Sequence, residues 1–128
     1  MISKNKQKFI KSLGLKKFRD AEQLFIAEGP KVVGDLMGHY PCQILAGTSE
    51  YLSSHPEFKA QEICEITQKE LEQISQLKTP RDVIAIFSQQ KIGDFALLPN
   101  FQKDLVLVLD DIQDPGNLGT IIRIADWY

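Results

Sequence analysis

The sequence predicts an α/β layer fold with a largely parallel sheet, followed by the opening strand and helix of a second α/β domain. Three observations predict it. Strand-like and helix-like segments alternate through residues 3–88, the order that builds a sheet covered by helices. Several of the helix-like segments open on a recognisable cap. Residues 105–109, Leu-Val-Leu-Val-Leu, are apolar at every position, which is the pattern of a strand buried on both faces of a parallel sheet.

Taken in order, Ser3 caps a first helix with Phe9, Ile10 and Leu13 on one stripe and Lys4, Lys8 and Lys11 outside it. Gly14 stops it, and a short helix over residues 15–21 carries Lys16, Lys17 and Arg19. Residues 24–27 form a buried strand closed by Glu28-Gly29-Pro30, and Pro30 suits the first turn of a helix through Val32, Val33, Leu36 and Met37. Residues 43–46 are a short strand, followed by a turn and a short helix to about residue 53. In residues 62–66 the acids Glu62 and Glu65 point outward, and Ile63, Cys64 and Ile66 point inward. Thr67 and Glu70 make a capping box ahead of Leu71, Ile74 and Leu77. Thr79-Pro80 ends that helix, and residues 83–87 are another strong strand. The first domain is therefore residues 1–88. Residues 89–104 mix Gly, Pro and charge without period and read as a linker, with Phe95, Leu97 and Leu98 able to dock on a neighbour. Residues 105–128 open a second domain. Nothing else in the chain could cover both faces of its strand, so the sequence reads as a fragment of a longer protein. An uncovered strand of this kind is also expected to self-associate.

Composition narrows the class. At 43% apolar and 25% charged, the chain of 128 residues is globular and not disordered. No apolar run approaches the roughly 18–20 residues of a membrane span, and the N-terminus lacks the apolar core of a signal peptide. These point to a cytoplasmic protein with no membrane partner. Cys42 and Cys64 lack CxxC spacing and read as buried reduced thiols; His39 and His55 stand alone beside turn residues, so no metal site is expected. The net charge of −2 is unevenly spread. Residues 1–19 hold seven of the 15 basic residues and no acid, leaving eight basic and all 17 acidic residues for the remainder. A basic end on an acidic body fits a polyanion at one surface; a merely solvated lysine-rich helix is the alternative.

The turn after residues 105–109 gathers Asp110, Asp111, Asp114 and Asn117. In open α/β sheets, ligands collect at this end of the strands. Pro115-Gly116 supplies a tight turn, and Asn117 is expected to cap the helix that follows. The GxxxxGK[ST] and GxGxxG phosphate loops are absent, and a calcium loop would need more acids and a closing glutamate. A plain turn and helix cap would also account for Asp-Pro-Gly-Asn.

The whole string Asp-Pro-Gly-Asn-Leu-Gly-Thr-Ile-Ile-Arg-Ile-Ala-Asp, residues 114–126, resembles the first motif of the SpoU/TrmH family of RNA 2′-O-ribose methyltransferases. Ser3-Lys4-Asn5, Lys8, Leu13, Lys17-Phe18-Arg19, residues 25–29 and Thr79-Pro80 resemble that family's substrate-binding domain. The resemblance implies a small α/β/α sandwich of the ribosomal-protein-like RNA-binding type, then the first strand and helix of a knotted SPOUT methyltransferase domain. It implies that Asn117 and Arg123 are catalytic and that Asn5, Lys8, Lys16, Lys17 and Arg19 contact RNA. Of the two aromatic residues beside them, Phe9 reads as core and Phe18 as open to stacking. The cofactor implied is S-adenosylmethionine, held by second and third motifs that this sequence does not contain, so none is expected on this chain. The partners implied are structured rRNA or tRNA and a second copy paired through the absent region.

Arg123 is commonly assigned in the family as the base that takes the ribose proton. Because a guanidinium stays charged, stabilising the alkoxide or a substrate phosphate is an equally good physical role, and pairing with Asp126 is a third. Glu28 reads as a strand exit that holds a basic side chain. Two further readings remain open at this point: a non-enzymatic ribosomal-type RNA-binding module, and a small-molecule α/β binding domain.

Overall fold

The computed structural model describes residues 2–90 and 107–127. The chain divides into two compact units, Met1–Lys91 and Ile92–Tyr128. The first unit contains α1 (Lys4–Ser12), α2 (Lys16–Glu22), β1 (Leu24–Glu28), α3 (Pro30–Leu36), β2 (Cys42–Gly47), α4 (Ser49–Ser54), β3 (Glu62–Glu65), α5 (Gln68–Ile74) and β4 (Val83–Ser88). The second contains α6 (Pro115–Trp127).

The four strands make one sheet in the order β1-β4-β2-β3. Only β2 and β3 pair in parallel; β1–β4 and β2–β4 are antiparallel. The sheet is therefore mixed, and not largely parallel as the alternation of elements suggests. The reason is the segment after α5. It brings the chain back to the end of the sheet where β1 and β2 finish. There, the Gly29 amide donates to the Val83 carbonyl (3.0 Å) and the Thr48 amide to the Asp82 carbonyl (2.8 Å). β4 then runs back between β1 and β2 and reverses the sense of both contacts. An all-apolar strand reads the same in either direction, so the sequence pattern carries no sign of this.

β4 is the centre of the core, with residues 83–87 all buried. Its alternate side chains serve two layers. Ile84 and Ile86 pack with Ile10, Leu13, Leu71 and Ile74 of the α1–α5 layer. Val83, Ala85 and Phe87 pack with Leu45 of β2 and with Val33 and Tyr51 of the α3–α4 layer. Helices on both faces of one sheet make an α/β/α sandwich. The caps expected at Ser3 and Thr67 are formed: Ser3 Oγ accepts from the Lys6 amide (3.3 Å), and Thr67 and Glu70 complete a capping box. Glu70 does more, since its Oε1 also accepts from the Ile2 amide (3.1 Å) and ties the start of the chain to α5.

Ile63 does not point inward; it is 53% exposed. Period-two alternation forbids Ile63 and Cys64 from sharing a face, and Cys64 is the one packed against the α1–α5 layer. Both cysteines are free, and burial pushes the Cys42 thiol up to about 11, so it stays protonated and inert near neutral pH. His39 is exposed, while the His55 ring stacks on Phe58 (4.8 Å between centroids). No helix among the described residues is long and apolar enough to cross a membrane.

Gln89 belongs to the first unit rather than to a linker. Its amide N–H donates to the Gln23 carbonyl (2.8 Å), and its Nε2 donates to the Leu24 carbonyl (3.0 Å). Gln90 follows it, with Nε2 donating to the His39 carbonyl (3.2 Å), while residues 91–104 of the expected linker lie outside the described residues, as do Leu105 and Val106 of the expected strand. Residues 107–109 are described and are not in a strand. A strand exists through its pairing, and these residues have no partner strand among those described. The helix expected after them is present as α6, and none of its described residues is buried.

Candidate functional site

The basic N-terminal segment folds into α1 and α2. On α1, Ile10 and Leu13 turn into the core. At about 100° per residue, Lys4, Lys8 and Lys11 fall within an arc of about 60° on the opposite face, and all three are exposed, as is Asn5. Lys6 is the exception. Its ammonium pairs with Glu62 at the start of β3. That hydrogen bond raises the lysine above its ordinary value, against an opposing effect of burial, and lowers the glutamate.

Arg19 is also committed within the fold. Its Nη1 donates to the carbonyls of Leu13 (3.0 Å) and Gly14 (2.8 Å) just past the end of α1. A cation on these late carbonyls satisfies helix acceptors and suits the negative end of the helix dipole. Of the five residues expected to contact RNA, Asn5, Lys8, Lys16 and Lys17 are thus exposed and Arg19 is half-buried, holding α1 to α2. Lys17 Nζ lies 4.9 Å from the centroid of the Phe18 ring, which is 37% exposed. Phe9 is half-buried against the α1–α5 layer.

The two ends of the sheet differ. At the amino ends of β1, β2 and β3 a cavity of about 630 Å³ is lined by Phe9, Gln23, Gln43, Gln61, Ser88 and Gln89, among others. Gln43 Nε2 donates to Ser88 Oγ (2.8 Å) inside it. This amide-rich hollow is not apparent from sequence, because its glutamines come from four separate segments. At the opposite end Glu28 does not hold a basic side chain. Its carboxylate accepts from the Ser75 hydroxyl and from the Gln76 amide (2.9 Å), and so anchors the stretch that leads into β4.

In the second unit the helix cap is Asp114, not Asn117. Asp114 Oδ1 accepts from the Gly116 amide (3.1 Å) and Oδ2 from the Asn117 amide (3.3 Å). Pro115 takes the first helical position, where its missing N–H costs nothing, and Asn117 is the third residue of α6. The Asp-Pro pair was the sequence signal for this. Asp111 approaches the helix with a φ of 51°, a left-handed conformation uncommon outside glycine. Arg123 lies six positions along the helix from Asn117, about 9 Å of rise, and the two are about 120° apart around the axis. Arg123 is exposed; among the described residues no ion pair or hydrogen bond engages it, with Asp126 or any other group.

Comparison with known proteins decides what these two units belong to. The family model described as the MRM3-like substrate binding domain matches residues 4–85. The chain belongs to the SpoU/TrmH family of RNA methyltransferases. Within that family, the Danio rerio protein named rRNA methyltransferase 3A, mitochondrial, is 33% identical to this SpoU/TrmH chain over an alignment of 119 positions that covers 84% of this chain and 26% of the relative. The structure of a TrmH-family protein from Porphyromonas gingivalis matches with a TM-score of 0.78 at 38% identity, covering 99% of this chain and 49% of that one. The AdoMet-bound rRNA methyltransferase from Sinorhizobium meliloti matches with a TM-score of 0.55 at 26% identity, covering 70% of this chain and 35% of that one. The SpoU/TrmH chain described here therefore spans about half of the Porphyromonas chain and about a quarter of the zebrafish protein.

Proposed function

We propose that this chain is the RNA-recognition domain and first catalytic motif of an S-adenosylmethionine-dependent enzyme that methylates a ribose 2′-oxygen in ribosomal RNA. The match of residues 4–85 to a substrate-binding domain, with Asn5, Lys8, Lys16 and Lys17 exposed on its basic helices, carries the reading. Lysines at such positions contact backbone phosphates, which gives affinity that falls steeply with salt.

When bound, S-adenosylmethionine supplies an electrophilic methyl group, and its site belongs to the stretches of the relatives that this chain does not span. The contribution of this chain is Arg123. A guanidinium has a pKa above about 12 and stays protonated at neutral pH. On this reading it stabilises the negative charge that develops on the ribose oxygen as that oxygen attacks the methyl group and its proton passes to solvent water, an effect worth about 3–4 kcal/mol for a preorganised donor. Asn117, in the first turn of α6, is the second motif residue that this reading assigns to the site. Alone, the chain binds RNA and transfers no methyl group; the whole enzyme pairs with a second copy through regions outside it.

Titration of the chain with structured ribosomal RNA at low and high salt tests the binding half. Binding that tightens as salt is lowered is expected; no binding at low salt would remove RNA recognition. In the full-length protein, Arg123→Ala should abolish turnover and leave the affinity for S-adenosylmethionine unchanged. Turnover equal to that of the unsubstituted enzyme would remove Arg123 from the chemistry.

A further inference from the structure

α2 contributes no buried residue to either core layer. It is held in place by polar links instead: Arg19 to the end of α1, and Gln89 Nε2 to the Arg19 carbonyl (3.3 Å). Although α2 has no buried residue, it carries a large aromatic side chain that stays partly open to solvent, Phe18 at 37% exposed, near Leu15 at 57%. Both lie in the segment of residues 1–19 that holds seven basic residues and no acid. Exposed apolar surface is costly in water, and its position between exposed cations matches one kind of partner, a polyanion that also offers flat apolar faces. A single-stranded nucleic acid has that chemistry. A duplex does not, because its base faces are already stacked.

We propose that Phe18 is a stacking platform for an unpaired RNA base, with Lys16 and Lys17 holding the adjoining phosphates. The proposal rests on the RNA-recognition reading above and adds to it the kind of RNA and the residue that senses it. The Lys17 ammonium is already beside the ring, 4.9 Å from its centroid, so the cation and the π-face can engage one nucleotide together. Phosphate contacts by the lysines alone would not distinguish paired from unpaired RNA. The Phe18 ring supplies that distinction, and it tolerates any base because every base has a π-face.

The test uses the whole chain with two probes, a short unstructured RNA strand and a duplex of the same length, each over a series of salt concentrations. Phe18→Ala should weaken strand binding by about ten-fold or more, leave duplex binding unchanged, and leave the salt slope unchanged. Phe18→Trp should restore strand binding, and Phe18→Leu should not. Lys17→Ala should instead flatten the salt slope for the strand by about 0.7. Strand binding by Phe18→Ala equal to that of the original chain, or an equal loss on both probes, would overturn the platform while leaving RNA recognition in place. Failure of the original chain to bind the strand would overturn the platform alone; failure to bind structured ribosomal RNA as well would end the RNA reading itself. Unfolding of Phe18→Ala would overturn the platform by making the ring a packing residue; unchanged far-UV circular dichroism and a near-unchanged Tm are expected.

Discussion

Residues 83–87, Val-Ile-Ala-Ile-Phe, and residues 105–109, Leu-Val-Leu-Val-Leu, share an all-apolar pattern, and the structure treats them differently. The first run becomes β4, paired on both edges and covered on both faces. Of the second, residues 107–109 are described, and Leu107, Val108 and Leu109 are 51%, 87% and 43% exposed outside any strand. The helices repeat the contrast. α1 is a lysine-rich helix of nine residues and still buries Ile10 completely. α6 carries Leu118, Ile121, Ile122, Ile124 and Trp127 in thirteen residues and buries none of them. An apolar pattern states what a segment needs. Whether the need is met depends on which other segments fold beside it.

The sharpest way to break this comparison is to truncate one apolar side chain in each region. Phe87 is fully buried in the middle of the sheet, so Phe87→Ala should cost about 3–5 kcal/mol, with the cavity adding to the lost transfer energy. Ile122 on α6 is 57% exposed, and Ile122→Ala should change stability by no more than about 0.5 kcal/mol. Urea denaturation of both variants measures the pair. A cost at Ile122 approaching that at Phe87 would mean that α6 is packed in solution, and the contrast would fail.

A smaller effect is expected at Arg19, where the distinction is between binding surface and scaffold. Its guanidinium donates to two carbonyls, and charged hydrogen bonds contribute about 1.5–3 kcal/mol, so Arg19→Ala should destabilise the chain by about that amount. Lysine cannot reproduce the planar fork and should rescue only part of the loss. The check is a fall in Tm without a change in the salt dependence of RNA binding. An unchanged Tm with a flattened salt slope would return Arg19 to the RNA-contacting set.

Much of the first unit was legible because its signals are local. The Ser3 cap, the Thr67–Glu70 box and Pro30 at a helix start are read from a few adjacent residues, and each is where the sequence puts it. What was not legible depends on distant partners. The direction of β4 is fixed by the path of residues 75–82, and no residue type in β4 encodes it. Ile63 faces out because Cys64 faces in, a choice that needs the helix layer to be known. Arg19 is a free cation by sequence alone, and only the carbonyls of Leu13 and Gly14 beside its guanidinium make it part of the scaffold. At α6 the deciding signal is local: aspartate before proline marks the cap, so Asp114 and not Asn117 takes that place. The exposed positions of Asn117 and Arg123 follow from the helix, which the sequence shows; what surrounds them in a working site is not encoded in residues 107–127.

The least effect, and the most specific to the first unit, concerns acid. Glu70 is held below the ordinary glutamate range, first by the Thr67 amide and then by the Ile2 amide, and Glu62 is lowered chiefly by its hydrogen bond to Lys6. A carboxylate whose folded pKa is depressed stabilises the fold at any pH above its unfolded value. That contribution is lost as the pH falls through the lower folded value. Lys6 has the opposite sign: its raised value stabilises the fold below the ordinary lysine pKa and fades only in strong alkali. Stability should therefore be flat with respect to these groups around neutrality and decline below the glutamate range. Glu70→Gln should lower stability at neutral pH and make the acid decline shallower, so that the two urea curves converge at low pH. Because Glu70 is open to solvent, the difference will be small, and low ionic strength favours its detection. A gap between the two chains that persists undiminished into acid would show that Glu70 acts through its shape and neutral hydrogen bonds, and not through its charge.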